Sequence, residues 1–140
     1  MYLLDTHVIS EIRKSGSGRA DPNVLRWAAS VPAARLFISV ITLMELESGV
    51  LIMERRDARQ GALLRGWLTA QVQPSFAGRV LAVDETVALR AASLHVPDPR
   101  PISDSLIAAT ALVHGMTVVT RNRTDFEPTG VKLLDPWDAR

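Results

Sequence analysis

Short apolar runs alternate along this chain with segments whose apolar residues recur every three or four positions, and that alternation limits its folds more than any other feature. Tyr2 to Leu4, Leu36 to Val40, Val80 to Val83, Thr117 to Thr120 and Val131 to Leu134 read as strands, rich in β-branched and aliphatic residues. Between them lie helical segments: about His7 to Lys14; Asp21 as N-cap with Pro22 at the first position; Thr42 to about Arg56 with Leu43, Leu46, Val50 and Met53 on one stripe; Ala62 to Val72, ended by Pro74; Asp84 capping a helix to about His95; and Ile102 to His114, stopped by Gly115. Ser15 to Gly18 forms a linker, Pro97, Pro99 and Pro101 an extended connection, and Arg121 to Glu127 a polar loop. No Asn-Gly hairpin signal occurs, so the strands are joined by crossovers and run parallel. The expected fold is α/β, a three-layer α/β/α sandwich with a four- to five-stranded, mainly parallel sheet and residues 1–140 as a single domain.

Composition narrows the function. A chain of 140 residues that is 47% hydrophobic and 22% charged buries a core and is no disordered tail. Cys is absent, which excludes disulfides and thiolate metal sites and fits a reducing, cytoplasmic setting. Asp5 interrupts the apolar start where a signal peptide needs an unbroken core, so export is not expected. The run from Leu36 to Met44 is far shorter than the roughly 18 residues a membrane span needs, so no membrane association is expected. The net charge is +1, with Lys14 and Lys132 the only lysines among 16 basic residues. That balance gives no general attraction to a polyanion; any such partner must be bound locally, and arginine suits bidentate phosphate contact. The seven aromatic residues are scattered and form no stacking platform.

In an open parallel sheet, ligands bind beyond the carboxyl ends of the strands, where the strand order reverses. The residues expected there are acidic: Asp5 after the first strand, Glu45 in the first turn after the second, Asp104 opening the helix of ISDSLIAATAL, and Asp125 after the fourth strand. Four converging carboxylates repel one another unless some are protonated or a cation joins them, and an all-oxygen donor set selects Mg²⁺ or Mn²⁺. Each acid also has an ordinary local reading. Thr42 and Glu45 have the form of a capping box, Asp104 and Asp5 are placed to cap helices, and Asp125 can organise a turn with Asn122. Asp84, which also follows a strand, is read as a cap alone.

Neighbouring polar residues are set apart. Glu47 lies about 200° around the helix from Glu45 and cannot share its pocket. Glu11 is expected to hold Arg13 or a distant arginine, and Asp135, before Pro136, to end a strand. His95 and His114 lie at helix ends, where structural roles suffice.

The segments LLDTHVISEIRK, FISVITLMELESGV, SDSLIAATALVHGMTVVTRNRTDF and VKLLDPW, in that order, resemble the PIN-domain ribonucleases, in particular the VapC-type toxins of bacterial toxin-antitoxin pairs. WLTAQVQPSFAGRVLAVD is similar to their FitB-like subgroup. The resemblance implies that Asp5, Glu45, Asp104 and Asp125 are the catalytic, metal-holding acids and that Thr120 and Asn122 are the hydroxyl and amide beside them. Asp5 and Asp104 are expected to hold the first Mg²⁺ or Mn²⁺. His7 stands where many relatives have Asn and is taken as a tolerated change. Arg121 and Arg123, nearest Asp125, are expected to contact flanking phosphates. The implied activity is metal-dependent endoribonuclease cleavage of structured RNA such as tRNA. The implied partners are an antitoxin protein, operator DNA bound only through the toxin-antitoxin complex, and a second copy in a homodimer. The alternative is a non-catalytic binding component of the same fold. Met44, Leu51, Ile52 and Met53 are read first as core and otherwise as a groove for the antitoxin.

Overall fold

Leu3 and Leu4 are adjacent and both fully buried, which requires a strand covered on two faces. In the computed structural model, which describes residues 1–138, they lie in β1 (Tyr2–Leu4) at the centre of a five-stranded sheet. The other strands are β2 (Leu36–Ser39), β3 (Val80–Leu81), β4 (Thr117–Val119) and β5 (Leu133–Leu134). Their order is β3-β2-β1-β4-β5, and every pairing is parallel. Leu3 faces one core with Val87 and Ala91 of α6 (Glu85–Ser93) and Ile107 and Ala108 of α7 (Ile102–His114). Leu4 faces the other, with Val8 and Ile9 of α1 (Thr6–Arg13) and Leu46 and Val50 of α3 (Val40–Arg56). Two cores on one sheet make the three-layer sandwich expected from the sequence.

Caps fix the helix starts. Asp21 accepts from the amides of Asn23 and Val24 ahead of α2 (Pro22–Ser30), and Asp84 accepts from Val87, both as expected. Three expectations are corrected. Ser39, not Thr42, caps α3 by accepting from the Ile41 amide at 3.0 Å, so the Thr42-Glu45 capping box does not form. Thr42 is instead fully buried, and its hydroxyl has no partner among the described residues. Pro74 does not end a helix. After α4 (Ala58–Trp67), which Asp57 caps, the chain widens into a π turn at Leu68–Val72 and continues through α5 (Gln73–Ser75). The wider turn takes the ring away from the carbonyl four residues back that it would strike in an α-helix. The loop from Arg121 to Glu127 contains a short helix, α8 (Arg123–Phe126), which fully buried Phe126 anchors.

Candidate active site

The chain runs from β1 outward to β2 and β3, then crosses back to β4 on β1's other flank, so the order reverses between β1 and β4. Asp5 follows β1 and Thr120 follows β4. The Asp5 amide donates to the Val119 carbonyl at 2.9 Å, which extends the ladder by one step and brings the two side chains together. Asp5 is 6% exposed; its Oδ1 accepts from the Thr6 amide at 2.7 Å and its Oδ2 from the Thr120 hydroxyl at 2.9 Å.

From these two contacts an arc of hydrogen bonds runs along the strand ends. On one side, the Thr6 hydroxyl donates to Glu45 Oε1 at 2.7 Å, tying α1 to α3. On the other, the Asn122 amide donates to the Thr120 Oγ1 at 2.9 Å, and the Asn122 side-chain amide donates to Asp125 Oδ2 at 2.5 Å. Glu45, Asp5 and Asp125 are thereby held in one connected structure. Asp104 faces it from the first turn of α7. Its carboxyl is pushed up to about 6, first by burial and then by the charges of Asp125, Asp5 and Glu45, with a hydrogen bond shared with Asp125 adding to the effect. All four carboxylates expected at this edge therefore meet there.

The local readings divide. Asp5 is the N-cap of α1, and Asp125 does join Asn122, so for both a cap or turn role and a place at the rim coexist. Asp104 is not the N-cap of α7, which is Pro101, but it does lie in that helix's first turn, where a negative charge suits the helix dipole. Among the described residues, no three of these side chains close on a common point as a finished metal shell, since their oxygens are turned to Thr6, Thr120 and Asn122. The donor chemistry nevertheless suits a hard divalent cation: it is all oxygen and mutually repelling, and burial together with the other three acids drives one member toward its neutral form.

Other polar residues are engaged elsewhere. Glu47 takes a two-pronged contact from Arg65 of α4 at 2.6 and 2.7 Å, which holds its carboxyl low, and Arg65 also reaches Glu54. Among the described residues, Glu11 holds no arginine. It accepts from the Asp21 amide at 2.8 Å and from Lys14 at 3.2 Å, because the turn after α1 brings the start of α2 back onto it. Asp135 accepts from the Trp137 amide. His7 is exposed, with Nδ1 3.7 Å from Asp5 Oδ2. Arg121 stacks 5.2 Å above Trp137, and Arg123 approaches Glu127 at 3.8 Å. A depression of about 550 Å³ follows β4 and β5 away from the carboxylates and includes Arg123 and Lys132. Met44, Leu51 and Ile52 are more than half exposed, which corrects the core reading for these three. Thr6 was not anticipated; the only hint was a hydroxyl directly after Asp5.

Fold and site together define a three-layer α/β protein with a carboxylate rim at its topological switch point. The chain belongs to the PIN-domain family, which it matches over residues 2–130. It is 35% identical over 143 residues to the VapC ribonuclease Y4jK of Sinorhizobium fredii, covering 99% of each chain. It is likewise 35% identical over 144 residues to Toxin FitB of Neisseria gonorrhoeae, covering 98% of this chain and 99% of that one. Among solved structures, FitAB bound to an IR36 DNA fragment superposes with a TM-score of 0.90 at 32% identity, over 100% of this chain and 98% of that one.

Proposed function

We propose that this chain is a divalent-metal-dependent endoribonuclease that serves, as one domain, as the toxin of a toxin-antitoxin pair. The observation that carries the reading is the arc from Glu45 through Thr6, Asp5, Thr120 and Asn122 to Asp125, with Asp104 facing it. Relatives named as a VapC ribonuclease and a FitB toxin support the activity and the setting.

Asp5 and Asp104 would hold an Mg²⁺ or Mn²⁺ ion, with Glu45 and Asp125 acting through water or completing a second position. When bound, such an ion makes an acidic pocket attractive to a phosphodiester and makes water a stronger nucleophile. The protein's own residues then supply position. Thr6 and Asn122 fix Glu45 and Asp125 in orientation, so the geometry exists before substrate arrives. A water proton passes to a rim carboxylate as its oxygen attacks phosphorus in line; the opposite P–O bond breaks, and the leaving oxygen takes a proton from solvent. Thr120 and Asn122 line the substrate position, and Arg121 and Arg123 take the flanking phosphates. The substrate class is structured RNA such as tRNA, met in the cytoplasm.

An antitoxin is the natural cover for the exposed Met44, Leu51 and Ile52, which fall on one side of α3 at helical spacing. The solved structure of FitAB bound to an IR36 DNA fragment supports operator binding through the toxin-antitoxin complex; the toxin within it would be a homodimer.

The test is incubation of the purified chain with total RNA in Mg²⁺, Mn²⁺ or chelator. Cleavage is expected with either ion and lost on chelation. Asp104→Asn is expected to lower it on the order of 100-fold or more with an unchanged circular dichroism spectrum. Cleavage that persists in chelator overturns the reading.

A further inference from the structure

Helix α7 begins without a side-chain cap: its N-cap is Pro101, whose carbonyl accepts from the Ser105 amide at 3.1 Å but whose ring offers nothing to the other free amides of the first turn. Asp104 rides on that uncapped turn, pressed by the charges of three other acids. What restrains the turn is a chain of hydrogen bonds from the preceding loop. The Arg100 amide donates to His95 Nδ1 at 3.5 Å, His95 Nε2 lies 2.9 Å from Ser105 Oγ, and the Ser105 hydroxyl donates to the Ile102 carbonyl at 2.8 Å. The directions are mutually consistent in one way only. With Nδ1 accepting from the Arg100 amide and the Ser105 hydroxyl donating to the Ile102 carbonyl, Nε2 is the ring nitrogen left to donate to Ser105 Oγ. The loop is itself fastened, because Arg100 Nε donates to the Leu94 carbonyl at 2.5 Å and Leu94 is buried in the core. Ser105 is 1% exposed, so the latch is sealed at its helix end, while His95 and Arg100 are half-buried.

We propose that His95 is a positioning residue for Asp104: through Ser105 it holds the first turn of α7 so that the Asp104 carboxylate stays aimed at the rim against the repulsion of Asp5, Glu45 and Asp125. This rests on the nuclease reading for its consequence in catalysis, but not for its consequence in metal binding. A group that orients a ligand without touching the ion shifts the ion's affinity, whereas a group that only supports the fold shifts the melting temperature.

The test compares wild type, His95→Phe, His95→Gln and Ser105→Ala by calorimetric titration with Mn²⁺, by the Mn²⁺ dependence of RNA cleavage and by thermal melting in chelator. His95→Phe keeps the ring and removes the donor; Ser105→Ala removes one buried oxygen and decides the matter should the first variant not fold. Both are expected to weaken Mn²⁺ binding on the order of 10-fold and to raise the Mn²⁺ needed for half-maximal cleavage by the same factor, with the rate at saturating Mn²⁺ retained. His95→Gln, whose amide nitrogen stands where Nε2 does, is expected to restore binding. Variants that melt earlier yet bind Mn²⁺ as wild type does overturn the proposal, as does a wild type that binds no Mn²⁺. A wild type that binds Mn²⁺ but cleaves no RNA overturns the nuclease reading and leaves the titrations to decide the latch.

Discussion

Asp104 carries two consequences of the same electrostatics. Its folded carboxyl titrates at about 6, against 3.8 for the free side chain, so folding favours its neutral form. The stability linked to that preference is full below 3.8 and is lost as pH rises through 6. At pH 7.5 without metal, ionised Asp104 therefore weighs against the fold, by about 1 kcal/mol after allowance for its partial contact with solvent. Asn is neutral at every pH and nearly isosteric. In chelator at about pH 7.5, Asp104→Asn is expected to melt a few degrees above wild type, with the two curves converging near pH 4. Adding Mg²⁺ should raise the wild-type melting temperature and move the variant much less. A variant less stable than wild type at pH 7.5 in chelator contradicts this account. Position offered the four acids, since each follows a strand or opens a helix where an α/β sheet gathers residues at one edge, but Asp84 is placed the same way and only family likeness set the four apart from it. The sequence did not reveal Thr6, since a hydroxyl beside an acid has no distinctive pattern; Thr120 came only through family likeness, and Asn122 both through that likeness and as the turn partner of Asp125. The rival reading of Glu45 as half of a capping box failed because Ser39, three residues before Thr42, already supplies the cap.

At the level of elements, the hairpin of α3 and α4 shows how one residue sets a spacing that carries a site residue. A Cβ at Gly61 would lie 2.4 Å from the Glu54 Cα, so the two helices touch backbone to backbone there. Arg65, one turn on, bridges Glu47 and Glu54 across the same seam. Gly to Ala within a helix ordinarily gains up to about 1 kcal/mol from propensity. Here the clash reverses the sign: Gly61→Ala is expected to destabilise the protein by about 1–3 kcal/mol, read as a lower urea midpoint at unchanged slope. Because α3 also presents Glu45, the variant should lose activity at temperatures where it remains folded, and a variant as stable as wild type would place the contact elsewhere. Helix existence was plain from periodicity, and Ile102–His114 was located to the residue because a glycine with φ of 66° ends it. Boundaries failed where a local signal was ambiguous. Pro74 normally stops a helix but sits beyond a π turn, and the polar run after Thr120 hid a short helix whose one large apolar anchor is buried Phe126.

For the molecule as a whole, alternation of strand and helix made the parallel three-layer sandwich legible, whereas the strand order was not, because it depends on which flank each crossover takes. The charge distribution reaches further than the fold does. With a net charge of +1 the protein has no field to draw RNA from afar, and its rim is acidic, so affinity must come from individual cations beside that rim. Arg121 is pinned on Trp137, while Arg123 reaches the depression that includes Lys132. In the proposed nuclease both arginines would take the phosphates that flank the scissile bond. For the inactive Asp104→Asn protein, RNA affinity should fall with salt along a shallow slope, and Arg121→Gln or Arg123→Gln should each lower that slope by about 1 without changing sequence preference. Arg121→Gln should cost more affinity, because stacking holds its guanidinium in place and less freedom is lost on binding. Slopes identical to the parent in both variants would mean that the phosphate path leaves the rim on the opposite side, toward β2 and β3.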